Sequence, residues 1–295
     1  MKLLAFDIGG TSVKYGIVSL SGEIAETGSF PTPPSLELLL RNIYLVFNEL
    51  KADAAAISSP GAVDSAAGVV NGVSAVPYLH GPNIRDLIQS AINAPAEIEN
   101  DANCAAFAEL AFGEAADVND AVVVVIGTGI GGAVIKNRQL HRGSHNQAGE
   151  FGLILTDRNP ENGDRHVWSH YSTVKTILHA EEEAGLPKGS LSGEVLFDEA
   201  DRNRIYAKHV SRFYGAAAAG IIALQQIYDP ERIIIGGGIS RRPELIEQLY
   251  RHIGELTQPY PDSFVKPDLR ICRFKNSANL VGAACHYRSL HGDAL

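Results

Sequence analysis

The stretch LLAFDIGGTSVKYGIVS, residues 3–19, decides the fold. Residues 3–8 read as a buried strand. After them Val13, Tyr15 and Ile17 alternate with Ser12, Lys14 and Gly16, the period of a strand and not of a helix. Gly9-Gly10-Thr11 therefore turns one strand into another. A P-loop leads from a strand into a helix and reads G-x-x-x-x-G-K-[ST]; no GK[ST] follows here. The segment is a candidate phosphate-clasping hairpin, because glycines let backbone N–H groups converge on an anion.

The pattern restarts at AVVVVIGTGIGGAVIK, residues 121–136, with a strand at 121–126, a glycine turn and a second strand at 133–136. Both halves then run on into helices and further strands. Two copies of a mixed α/β unit facing each other would bring both glycine turns to one cleft. The charged stretch Gly113 to Asp120 marks the boundary. The expected organisation is an N-terminal domain at 1–116 and a C-terminal domain at 117–276, with a last helix at about 277–295 packing back on the first domain.

Further elements are legible between these landmarks. Ser35 caps a helix in which Leu36, Leu39, Leu40, Ile43, Phe47 and Leu50 follow 3.6-residue spacing. A strand at 54–58 leads into the loop Pro60 to Asp64, and another at 96–99 ends at Asn100-Asp101, where a helix begins. The small-residue helix YGAAAAGIIALQQIYD runs into a strand at 232–235 and then Gly236-Gly237-Gly238.

Composition narrows the classes. At roughly 150 residues per domain, 295 residues suggest two domains. A net charge of −9, from 25 Lys+Arg and 34 Asp+Glu, argues against a nucleic-acid or anionic membrane surface. The hydrophobic content of 45% with 20% charged residues excludes disorder and fibres. Cys104, Cys272 and Cys285 are far apart with no C-x-x-C pair, which fits a reducing compartment and neither a disulfide framework nor a structural zinc site. The apolar opening stops at Asp7, too soon for a signal peptide, and the run 121–126 is far below the roughly 20 residues that cross a bilayer. A soluble, cytoplasmic protein is expected.

Five segments carry chemistry. Asp7, at the end of a buried strand, can hold Mg²⁺ directly or through water, with Gly9, Gly10, the Thr11 hydroxyl and the Lys14 charge near phosphate oxygens; a plain tight hairpin reads the same way. Gly127, Thr128, Gly129, Gly131 and Gly132 have more glycine than a hairpin needs and favour a second phosphate loop. Asp101 sits where a strand hands over to a helix N-terminus, whose dipole favours the ionised proton acceptor; helix capping by Asp101 or Asn100 is the alternative. Glu150, between glycines and preceded by His145 and Asn146, suits a bidentate contact to vicinal hydroxyls or is a solvent-facing loop glutamate. Gly236, Gly237 and Gly238 after a strand let an adenosine lie against backbone or simply turn the chain.

In this order, FDIGGTSVK (6–14), SSPGAVD with Gly68 (58–68), ENDANCAA (99–106), IGTGIGGA (126–133), AGEFG (148–152) and IIIGGGIS (233–240) resemble the ROK family of repressors, uncharacterised reading frames and sugar kinases. The resemblance covers nearly the whole chain. It implies an α/β fold of two ribonuclease-H-like domains, of the actin/hexokinase superfamily, flanking a cleft for ATP, Mg²⁺ and a sugar. It also implies a homodimer. On that pattern Asp101 takes the catalytic-base position, and Asn100, Gly61, Ser74 and Glu150 take sugar-contacting positions. Asp7 would help place the metal, Thr11 and Thr128 would hold phosphate oxygens, and Gly236 to Gly238 the nucleoside.

The chain departs from the family where most members bind zinc. Leu153 replaces the histidine after the Gly-Glu pair and residues 154–172 contain no cysteine, so no zinc site is expected. His166 and His170, spaced i,i+4, could hold a metal or form a polar surface pair. The family's last sugar-contacting glutamate aligns with Ser169, which removes a partner for a free anomeric hydroxyl and leaves room for a substituent. Trp168 beside it would stack on a second ring or pack in a core. With SAVPYLHG (74–81) and AGEFGL, this resembles the zinc-less branch that includes β-glucoside kinases.

The expected activity is transfer of the γ-phosphoryl group of ATP to a sugar hydroxyl, O6, of a β-glucoside such as cellobiose. Glucose and N-acetylmannosamine are the alternative acceptors. A sugar-responsive repressor would need a DNA-binding segment ahead of the motif that starts at Asp7, and the charge of −9 opposes it. Asp101 with both glycine turns opposes a silent sugar sensor, and Glu150 opposes an actin-like ATPase acting on proteins.

Overall fold

A computed structural model describes residues 1–158 and 165–292, with the backbone alone at Asp157, Arg158, Arg165, His166 and Asn276. The elements follow in the order β1 (Leu3–Ile8), β2 (Ser12–Val18), β3 (Ile24–Pro31), α1 (Leu36–Glu49), β4 (Ala54–Ser59), β5 (Ala62–Asp64), β6 (Val69–Asn71), α2 (Ile84–Ile92), β7 (Ala96–Asn100) and α3 (Asp101–Phe112). Then come β8 (Ala121–Ile126), β9 (Ile130–Lys136), β10 (Gln139–His141), β11 (Leu155–Arg158), β12 (Arg165–Val167), α4 (Thr173–Ala184), α5 (Gly193–Asp198), α6 (Arg204–Tyr228), β13 (Arg232–Gly236), α7 (Leu245–Thr257), β14 (Leu269–Ile271) and α8 (Ala278–His291).

The chain divides into two compact units. The first holds Met1–Asp117, Gln139–Gln147 and Asn276–Leu295, and the second Val118–Arg138 and Ala148–Lys275. Gln139–Gln147 thus groups with the first unit, whereas the sequence reading placed it in the second. Within that unit the Arg142 guanidinium pairs with the buried Glu99 carboxylate at the end of β7.

In the first unit the strands are ordered β3-β2-β1-β4-β7, with β1 antiparallel to β2 and parallel to β4, and β4 parallel to β7. Leu4, Phe6 and Ile8 of β1 pack with Leu39, Ile43 and Phe47 of α1 and Ile84 and Ile88 of α2. Leu3 and Ala5 face the other way, against Cys104 of α3 and Leu280, Ala283 and Ala284 of α8. Both faces of β1 are covered, which is why it reads as a continuous apolar run as far as Phe6. Helices α3 and α8 approach so closely that any Cβ at Gly282 would fall inside the Cys104 carbonyl.

The second sheet repeats this plan. Its order is β10-β9-β8-β13-β14, with β8 antiparallel to β9 and parallel to β13, and β13 parallel to β14. Val122, Val124 and Ile126 of β8 and Ile233 and Ile235 of β13 form its core with α6 and α7. The duplication expected from the two glycine turns is therefore carried by matching strand orders. Among the described residues no helix is long and apolar enough to cross a membrane.

Candidate active site

The parallel strands β1, β4 and β7 of the first unit end at one edge of their sheet. Register places Lys14 opposite Asp7, Asp7 opposite Ser58, Ser58 opposite Glu99, and in the next row Ser59 opposite Asn100. Ligands of α/β sheets sit beyond the carboxyl ends of such strands. Asp7 Oδ1 accepts from Ser58 Oγ at 3.2 Å and from Asn279 Nδ2 at 2.9 Å. Both donors address one oxygen, which leaves Oδ2 for another partner. The turn beyond it is closed by the Gly9 N–H donating to the Ser12 carbonyl at 3.1 Å, and Thr11 and Lys14 are exposed.

Asn100 and Asp101 divide the work at the start of α3. Asn100 is the cap: its Oδ1 accepts from the Asn103 N–H at 3.0 Å. Its Nδ2 donates to the Gly61 carbonyl at 2.9 Å and to Asp101 Oδ1 at 3.0 Å. Asp101 is the first helical residue, and its Oδ1 also accepts from the Ala102 N–H at 2.8 Å. A carboxylate here feels the positive end of the helix, which favours its ionised form. The capping role considered for Asp101 thus belongs to Asn100.

Gly61 has φ +98°, a conformation that favours glycine, and a Cβ there would lie 2.8 Å from Val70 Cγ1 and 3.3 Å from His80 Cε1. His80 Nε2 lies 2.9 Å from Ser74 Oγ. A Cβ on Gly10 would meet Ala75 Cβ at 2.8 Å, so the first glycine turn abuts the same segment. The first unit accordingly gathers Asp7, the Gly9–Thr11 turn, Gly61, Ser74, Asn100 and Asp101.

Sequence reasoning gave no role to Glu99. It is fully buried, and its Oε1 accepts from the Asn100 N–H at 2.8 Å and from Asn103 Nδ2 at 2.9 Å, while Arg142 Nη2 donates to Oε2. His286 Nδ1 lies 3.8 Å from Oε2; burial pushes that imidazole's pKa down, against the pull of the Glu99 charge. The signal was a charged residue directly ahead of Asn-Asp in a strand whose Ala96 and Ile98 are core.

In the second unit the turn after β8 is shorter than expected. Gly131 and Gly132 lie within β9, opposite Val125 and Val124, so the strand starts at Ile130 and not at 133. Gly127, Thr128 and Gly129 alone make the turn. It is held from behind: Ser172 Oγ donates to the Thr128 carbonyl at 2.8 Å, and the Val174 N–H to the Gly127 carbonyl at 3.3 Å. A Cβ on Gly132 would meet the Phe151 ring at 2.5 Å, and one on Gly149 (φ +106°) would run into the Gly132 carbonyl. These two glycines lay the Glu150 loop on β9 and leave Glu150 exposed.

Ser169 Oγ accepts from the Ile130 N–H at 3.1 Å, so this hydroxyl supports the end of the same turn. Gly237, at φ +87°, packs directly on the Ile126 carbonyl at the end of β8, which sets the triple-glycine turn beside Gly127. Trp168 is 0% exposed, with its ring against Gly220 of α6. It is a core residue and is not placed to stack on a sugar; the indole fills a space that the glycine in α6 leaves open.

A matching model of the ROK family covers residues 3–289. The chain belongs to the ROK family. A β-glucoside kinase of Klebsiella pneumoniae is 32% identical over 297 residues, covering 99% of this chain and 97% of that one. Among solved structures, a ROK family protein from Streptococcus pneumoniae TIGR4 in complex with sucrose has a TM-score of 0.91 at 33% identity, with all of both chains covered. A ROK family glucokinase from Streptomyces griseus in complex with glucose and AMPPNP has a TM-score of 0.79 at 27% identity, covering 96% of this chain and 98% of that one.

Leu153 is 63% exposed, and no group of three or more metal-ligating side chains occurs among the described residues. The His166 side chain, one of the pair considered as ligands, lies outside what is described. The residues do suit magnesium, which keeps most of its waters and uses one or two carboxylates with nucleotide phosphates. Asp7, with one oxygen uncommitted beside a glycine turn, is that kind of ligand.

Proposed function

We propose that this ROK protein is an ATP-dependent kinase that phosphorylates O6 of the glucosyl ring of a β-glucoside such as cellobiose. The observation that carries the reading is the Asp101 carboxylate at the N-terminus of α3, tied through Asn100 to Gly61. Asp101 accepts the proton of the attacking hydroxyl, while Asn100, Gly61, Ser74 and Glu150 hold the sugar. The transition state of phosphoryl transfer is loose, so the remaining groups position reactants and neutralise charge. Backbone N–H groups of the two glycine turns, with the Thr11 and Thr128 hydroxyls and Lys14, cradle the phosphates. Gly236 to Gly238 take the nucleoside. Asp7 would hold Mg²⁺, which supplies charge neutralisation at the phosphates.

Two observations support a glycoside over a free sugar. The Ser169 hydroxyl is committed to Ile130, so this position offers no carboxylate to a free anomeric hydroxyl. The full-length similarity to a β-glucoside kinase points the same way. Glucose is the second reading, favoured by the similarity to a glucokinase. A homodimer acting in the cytoplasm belongs to the same proposal.

Nuclear magnetic resonance of the product tests it. Incubation with Mg-ATP and cellobiose should give a phosphate coupled to C6 of the glucosyl ring, and excess EDTA should abolish turnover. A phosphate on another carbon, or turnover undiminished by EDTA, would contradict it.

A further inference from the structure

The geometry points to His80 as a positioning residue that makes the Ser74 hydroxyl an obligate hydrogen-bond donor to the substrate; this rests on Ser74 contacting the sugar. A 3₁₀ turn at Pro77–Leu79 brings the chain back so that His80 faces Ser74, with Nε2 2.9 Å from Oγ. The fold fixes the main chain that carries the imidazole. The His80 N–H donates to the Pro77 carbonyl at 3.2 Å, its backbone bridges to Val70, and Leu79 beside it is fully buried.

The proton on the ring follows from the other nitrogen. Nδ1 is buried and has no hydrogen-bond partner. A neutral imidazole carries its proton on one nitrogen only. A buried N–H without an acceptor is rare and costly, whereas a bare acceptor is tolerated more readily. The proton therefore sits on Nε2, which donates to Ser74 Oγ.

Ser74 Oγ also accepts from the Val76 N–H at 3.2 Å. A hydroxyl has two acceptor positions and one proton. With both acceptor positions filled by His80 and Val76, only the proton is left to offer. Within the unit its competing acceptor is the Val76 carbonyl at 3.5 Å, too distant for a strong bond. Ser74 thus selects a sugar oxygen that can accept, either a hydroxyl or an acetal oxygen that carries no proton of its own.

The test is a double-mutant cycle read by calorimetric titration of cellobiose without nucleotide, by steady-state kinetics and by melting curves. Ser74→Ala and His80→Leu should each weaken cellobiose binding about five- to tenfold, and each should raise the sugar KM more than it lowers kcat. His80→Gln, which keeps a donor in reach of Ser74, should recover most of the loss. The double variant should bind no more weakly than Ser74→Ala alone. Unchanged binding in His80→Leu, additive losses in the double variant, or no rescue by glutamine would each overturn the inference while leaving the kinase intact. Full binding by Ser74→Ala would overturn it together with the sugar contact of Ser74. Wild-type protein that binds no sugar would overturn the kinase reading as well.

Discussion

Asp101→Asn should lower sugar phosphorylation by about a thousandfold at saturating ATP and sugar, with the melting temperature close to that of the wild type. A positioned general base contributes about 10² to 10⁴ in rate. The asparagine carbonyl can still accept from the Ala102 N–H, so the start of α3 keeps its geometry. It cannot take a proton from the attacking hydroxyl. Asp101→Ala should lose activity to a similar extent, because the missing function is proton acceptance and not the backbone bond. ADP release measures both. More than a tenth of wild-type turnover in Asp101→Asn would contradict the assignment of the base.

The second large effect is expected at Glu99. Glu99→Ala should destabilise the protein by about 2 to 3 kcal/mol and also lower kcat. Removing one partner of a buried ion pair typically costs about 3 to 5 kcal/mol. Arg142 is 31% exposed, however, and water can take up part of its charge, which reduces the figure. The Asn100 N–H and Asn103 Nδ2 would also lose their acceptor, and Asn100 carries the bond to Asp101. Glu99→Gln keeps an acceptor for both and should fall between wild type and alanine. Urea denaturation checks the stability. A Glu99→Ala protein within about 0.5 kcal/mol of wild type would show that the buried carboxylate is dispensable.

The residues that were legible and those that were not differ for physical reasons. The hairpin at Asp7 could be read because strand alternation and glycine punctuation coincide there, and the one after Ile126 because an apolar strand again runs into glycines, so that the two copies reinforced each other. The start of β9 could not, because glycines have no side chain to show a period. Glu99 was hidden by pattern: in AEIEN the alternation of Glu97 and Glu99 with Ile98 reads as a solvent face. In the fold that face is covered, and Arg142, 43 residues on, supplies the countercharge. Gln139–Gln147, which carries Arg142, groups with the first unit. Trp168 carried two readings because an indole suits a sugar or a core equally, and only the groove left by Gly220 in α6 decides between them.

The most direct measurement is ADP release from Mg-ATP with no sugar and with cellobiose, gentiobiose, glucose and N-acetylmannosamine in turn. The account predicts turnover that depends on sugar, is highest with a β-linked disaccharide, and is lost with Asp101. A higher kcat/KM for glucose or N-acetylmannosamine would contradict the glycoside reading built on Ser169, and no sugar-dependent turnover at all would contradict the kinase.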